Sequence, residues 1–139
     1  MLAQNLKTPA DLKLTDAEFD ALFKVLGMLE RGEIKAATSK VGVYLHEDHG
    51  TTPVGFHMRT FYAQHDCGTV CCICGWAEHV GKLPAGSLMR SRFQNRGLMK
   101  LFDPTGEFDT DEMGPAEAAI ALRNYLTHGE PRWAEALSG

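Results

Sequence analysis

The sequence predicts a predominantly helical α+β domain, and three observations carry that reading. Two segments, about 16–31 and 115–128, repeat apolar residues at three- and four-residue spacing between clear start and stop residues. A third, about 68–80, is apolar on nearly every side, as a buried helix at the centre of the domain would be. One stretch, about 41–62, has extended character and predicts a small β-hairpin packed on the helices.

The first helix opens at Thr15-Asp16-Ala17-Glu18, a capping box in which the Thr and Glu side chains satisfy each other's backbone N–H groups. Phe19, Leu22, Phe23, Leu26 and Leu29 follow at helical spacing, and Gly32 marks the stop. Val41–Leu45 and Val54–Tyr62 are rich in β-branched and aromatic residues, and the turn-prone His46–Pro53 joins them. The central helix starts near Gly68 or Thr69 and ends before Gly81 and Pro84. A short helix follows over Asn95–Phe102. Gly114-Pro115 opens the last long one, because proline suits the first helical turn, and Gly129 and Pro131 end it. Trp133 and Leu137 then dock the tail.

No repeat or linker divides the 139 residues, so positions 1–139 form a single domain. Hydrophobic residues at 44% and charged residues at 23% sit near globular averages, which excludes wholesale disorder. The N-terminus lacks the basic-then-apolar form of a signal peptide, and no apolar run approaches the roughly 18 residues of a membrane span. The expectation is a cytoplasmic protein with no membrane partner. A net charge of −4 argues against nucleic acid as a partner, since phosphate neutralisation needs a cationic surface.

Four cysteines fall between positions 67 and 74. Disulfides among such near neighbours close only tiny loops, and the cytosol keeps thiols reduced. On a helical wheel Cys67, Cys71, Cys74 and Glu78 form one stripe, among residues that are almost all apolar. Free cysteine is among the most buried residue types, so the leading reading makes these thiols space-fillers in a packing helix. The first alternative is zinc, held by Cys67, Cys71 and Cys74 with His65, since thiolate and imidazole are its preferred ligands. The second is a thiol enzyme or redox sensor centred on Cys67, with His65 beside it and a helix N-terminus lowering the thiol pKa. The spacing matches the three-thiolate pattern of radical SAM enzymes, but the chain is too short for their barrel. The papain-like echo in Gln64–Cys71 puts Val70 where the nucleophile would stand.

Cys67-Gly-Thr-Val-Cys-Cys-Ile-Cys-Gly-Trp-Ala77 resembles a motif shared by small uncharacterised bacterial and phage-borne proteins, Cys-Gly-Thr-x-Ala-Cys-Ile-Ala-Gly-(Trp/His)-Ala. The tail, an alanine-rich helix followed by Gly129, Pro131 and Trp133, is similar to theirs. The resemblance covers about a quarter of the chain and implies no activity. Cys67 and Cys72 match the motif, whereas Cys71 and Cys74 stand where it has alanine. That departure favours packing over ligation.

Two further clusters stand out. His46-Glu47-Asp48-His49 gathers ligand-type side chains but lacks the helical spacing of a zincin motif, and reads as a solvated turn. Lys82, Arg90, Arg92, Arg96 and Lys100 lie in a stretch without acidic residues, and an acidic block from Asp103 to Glu117 follows. Arg90, Arg92, Arg96 and Lys100, with Phe93 among them, are candidates for binding an anion or nucleic acid, but a single short basic stretch in an acidic protein favours two solvated loops that attract each other across the surface. The function expected is non-enzymatic and needs no cofactor: an accessory or interaction protein of bacterial or phage type, whose partner is another protein.

Overall fold

The structure, a computed structural model, describes the backbone of residues 6–34, 53–56, 62–65, 68–84, 86–102 and 113–138. Side chains are described for the same residues, with 53–56, 62–65, 68–71 and 138 excepted. The described residues are predominantly helical.

Local capping sets where the first helices begin. The Asp11 N–H donates to Thr8 Oγ1 at 3.1 Å and Asp11 reaches back to the Thr8 N–H, which opens α1 (Pro9–Leu12) with a proline in its first turn. The same device opens α2 (Asp16–Glu30): the Glu18 N–H donates to Thr15 Oγ1 at 3.1 Å, and the Thr15 N–H donates to Glu18 Oε1 at 2.9 Å. The face that α2 buries runs through Ala21, Leu22, Val25, Leu26 and Leu29. Phe19 and Phe23 belong to its margin, half-buried, with their rings stacked at a centroid distance of 6.3 Å.

Among the described residues three short strands follow, β1 (Pro53–Phe56), β2 (Tyr62–His65) and β3 (Gly68–Cys71), in the spatial order β1-β3-β2. β1 runs parallel to β3, pairing Gly55 with Val70 and Phe56 with Cys71. β2 runs antiparallel to it, from Tyr62 opposite Cys71 to His65 opposite Gly68. Pro53, which has no N–H to give, opens an edge strand, where it is tolerated. The expected hairpin over 41–62 falls largely on residues 41–52 and 57–61, outside the described ones. The strands within 53–65 each pair with β3.

The expectation of a helix from Gly68 is corrected here. Gly68–Cys71 is the central strand, and α3 (Ile73–Val80) begins only after Cys72, whose φ of −83° and ψ of −174° are extended. A short apolar run bears the same mark whether it is a buried strand or a buried helix, and pairing on both edges decides for the strand.

Among the described residues the remaining elements are α4 (Ser87–Ser91), a 3-10 turn at Arg92–Gln94, α5 (Arg96–Phe102), α6 (Pro115–His128) and α7 (Trp133–Ser138). α2 packs on both α3 and α6, and the core between them holds Leu22, Leu26, Ile73, Ala77, Leu122 and Leu126. The approach of α2 to the end of α3 is close: a Cβ on Gly81 would lie 2.5 Å from the Ala21 Cβ. α6 ends at Gly129, whose φ of 84° is left-handed. It buries Ala118, Ala121, Leu122, Tyr125 and Leu126, and leaves Ile120 exposed on its outer side. Arg123 on α6 donates through Nε and Nη2, each at 2.6 Å, to the two carboxylate oxygens of Glu30 on α2. Trp133 tucks α7 in, its Nε1–H donating to the Lys100 carbonyl at 3.1 Å and so satisfying the end of α5. Among the described residues, no helix is long and apolar enough to cross a membrane.

Candidate functional site

The cysteines and the basic segment, the two chemically unusual stretches of the sequence, meet through one residue, Glu78. α3 carries Ile73, Cys74, Gly75, Trp76, Ala77 and Glu78, all buried. Glu78 has no exposed surface at all, although an ionised carboxylate is among the costliest groups to take out of water. Its partners explain why it is tolerated. Oε1 accepts from the Gly86 N–H at 2.6 Å, and Oε2 accepts from the N–H groups of Leu88 and Met89, each at 3.0 Å. Those are the free donors at the start of α4, which has no capping side chain of its own because the residue before it is Gly86, with a φ of 80°. Glu78 is therefore the cap of α4, supplied from another helix, and its charge suits the positive end of a helix.

Cys74 lies one turn before Glu78, and its Sγ donates to Glu78 Oε2 at 3.8 Å. Cys72 and Cys74 are both free and buried. Burial pushes the Cys72 thiol up to about 11, against the pull of the N–H groups in the first turn of α3. Burial first, and then the nearby Cys72 and Glu78, hold Cys74 well above the ordinary thiol range, while Arg92 draws it slightly down. The thiolate is the reactive form, and burial disfavours it at both positions. Both serve as small apolar fillers, Cys74 with one weak hydrogen bond besides.

The stripe of Cys67, Cys71, Cys74 and Glu78 does not form. Cys71 closes β3, and only Cys74 and Glu78 share the helix. Cys67 and the side chains of His65 and Cys71 lie outside the described residues, and with them the zinc and thiol-enzyme sets. Among the described residues, no group of three His, Cys, Asp or Glu side chains is placed to hold a metal ion. His46–His49 is also outside them.

On the other side of the Glu78 cap, the basic segment is fastened from behind at three further points. Ser91 Oγ donates to Glu18 Oε2 on α2 at 2.7 Å. Asn95 uses both ends of its amide: Oδ1 accepts from the Leu98 N–H at 3.1 Å, capping α5, and Nδ2 donates to the Leu12 carbonyl at 2.9 Å. A Cβ on Gly97 would lie 2.6 Å from the Tyr125 ring and 2.7 Å from the Gly129 carbonyl oxygen, so α5 presses directly on α6.

The outer side differs. Phe93 is 67% exposed. The Arg92 guanidinium stands 4.2 Å from its ring centroid, and Arg92 Nη1 donates to the Met89 carbonyl at 2.7 Å. Arg90 is exposed and folds back over Gly86, its Nη1 2.9 Å from where a Cβ would be. Arg90 and Phe93, three residues apart across α4 and the 3-10 turn, share a face. Arg96 is exposed at the start of α5. Of the four expected anion-binding residues, Lys100 stands apart: its Nζ pairs with Glu130 at 3.7 Å.

Sequence reasoning missed Glu78 as a cap. The only hint was a carboxylate on an otherwise apolar helix, and its partners lie eight, ten and eleven residues ahead. Comparison of the chain with models of known families, with curated proteins and with solved structures found no match in any of the three.

Proposed function

We propose that this chain is a non-enzymatic protein-interaction module, a cytoplasmic accessory protein of the bacterial or phage type that its cysteine motif resembles. Its working surface is the segment from Arg90 to Arg96. The observation that carries the reading is Phe93, a large aromatic ring left 67% exposed on a segment anchored from behind at Glu78, Ser91 and Asn95. Covering such a ring is worth about 2 kcal/mol, which the monomer forgoes. Aromatic and arginine side chains are also the residues that most often dominate binding energy at interfaces.

The test is affinity capture from a bacterial extract with quantitative mass spectrometry, comparing the native chain with Phe93→Ala and with Ile120→Ala. Ile120 is the other exposed large apolar side chain, at 43%, and lies on α6. A partner that Phe93→Ala loses and Ile120→Ala keeps supports the reading. Identical capture by all three proteins contradicts it.

A further inference from the structure

Resting on the surface just proposed, we infer that the exposed Arg90–Arg96 segment binds a short acidic peptide segment that carries an apolar or aromatic side chain among its carboxylates. The inventory of cations points there. Lys100 is paired with Glu130, and Arg92 is committed to the Met89 carbonyl and the Phe93 ring. Arg90 and Arg96 remain, both exposed and without an ion pair among the described residues. A guanidinium presents a planar fork of N–H donors that matches a carboxylate, so two such groups call for about two carboxylates. Phe93, on the face of Arg90 and between the two in the chain, supplies the apolar contact.

The same count sets nucleic acid aside. Nucleic-acid affinity is built from the phosphates that lysines and arginines neutralise, and the two guanidinium groups of this segment offer few such contacts. The net charge of −4 adds long-range repulsion against any polyanion, which a short segment with a few carboxylates meets only weakly. Anchoring matters too. Three hydrogen bonds to the Glu78 carboxylate, with those of Ser91 and Asn95, hold the face in place before any partner arrives, so little ordering is lost on binding.

An array of short immobilised peptides, probed with the full chain, tests this directly. The peptides carry Asp/Glu or the isosteric Asn/Gln around either Phe or Ala, and single-stranded DNA is printed beside them. The acidic peptides with Phe should bind best, and should weaken with added salt. Arg90→Glu combined with Arg96→Glu should reduce their binding by about tenfold or more, and so should Phe93→Ala. These are surface changes that leave folding intact, which a parallel denaturation curve verifies. Equal binding of the amide peptides, unchanged binding by the charge-reversed variant, stronger retention on DNA, or no peptide bound at all overturns the inference. If capture from extract still depends on Phe93 in any of those cases, only the acidic preference has failed. If it does not, the surface itself was misassigned.

Discussion

The α3 helix and the segment that follows it, Ser87–Phe102, are opposite uses of reactive-looking side chains. α3 and its N-cap take thiols and a carboxylate inside: Cys72 and Cys74 are stripped of water, and the Glu78 carboxylate accepts from backbone N–H groups. Ser87–Phe102 turns arginines and a phenylalanine outward and keeps its apolar side, Leu88, Leu98, Leu101 and Phe102, in the core. Residue type alone does not separate the two. What separates them is whether each polar atom has found a partner within the chain. Those of α3 have, whereas Arg90 and Arg96 have none among the described residues.

The contrast breaks most severely at Glu78, which belongs to both regions. Glu78→Ala leaves the N–H groups of Gly86, Leu88 and Met89 buried without acceptors, and should cost on the order of 3–5 kcal/mol in a denaturant titration. Glu78→Gln keeps one acceptor oxygen and should lose visibly less. Equal losses for the two would mean that the cap contributes nothing beyond volume.

Alkaline pH probes the interior side, with Cys72→Ala separating this thiol from the lysines and tyrosines that titrate in the same range. The Cys72 thiol, ordinarily near 9, is held at about 11 in the fold, so the folded chain keeps a proton that the unfolded chain releases. The stabilisation is intact below pH 9 and is lost as pH rises toward 11. Stability should fall by roughly 2 kcal/mol across that window, and less steeply in Cys72→Ala. An unchanged slope in the variant would contradict the burial of this thiol.

Packing behind the basic segment should prove as tight as that around α3. Gly97→Ala drives a methyl group against the Tyr125 ring and the Gly129 carbonyl, and the backbone oxygen has nowhere to go. A loss of about 1–3 kcal/mol is expected by thermal or chemical denaturation. A neutral result would show that α5 is loosely seated. The outward side gives the smallest effect: Phe93→Ala should change stability by less than about 0.5 kcal/mol, despite the size of the ring removed. A large loss would turn Phe93 into a packing residue and take the proposed surface with it.

The sequence made some of this legible, and physical reasons separate what it showed from what it hid. α2 and α6 announce themselves because their caps are local: Thr15 with Glu18, and Gly114-Pro115 with Gly129. Thr8-Pro9 with Asp11 carries the same signature for α1, in a stretch short enough to overlook. α4 has no signature of its own, because its cap comes from α3. β3 was hidden for another reason. Apolar Gly68–Cys71 suits a buried helix as well as a central strand, and only its neighbours β1 and β2 decide. At the site, the basic composition of Arg90–Lys100 was plain, but the Lys100–Glu130 pair and the seating of Asn95 on α1 join residues far apart in the chain. Periodicity carries no trace of such contacts.

The central claim is that the buried thiols Cys72 and Cys74 are filler and not reagents. Residue-resolved alkylation of the native chain at neutral pH, read by mass spectrometry before and after adding denaturant, tests it most directly. Cys72 and Cys74 should stay unlabelled until the chain unfolds and then react as ordinary thiols. Labelling of either one in the native chain, at the rate of a free thiol, would contradict the account.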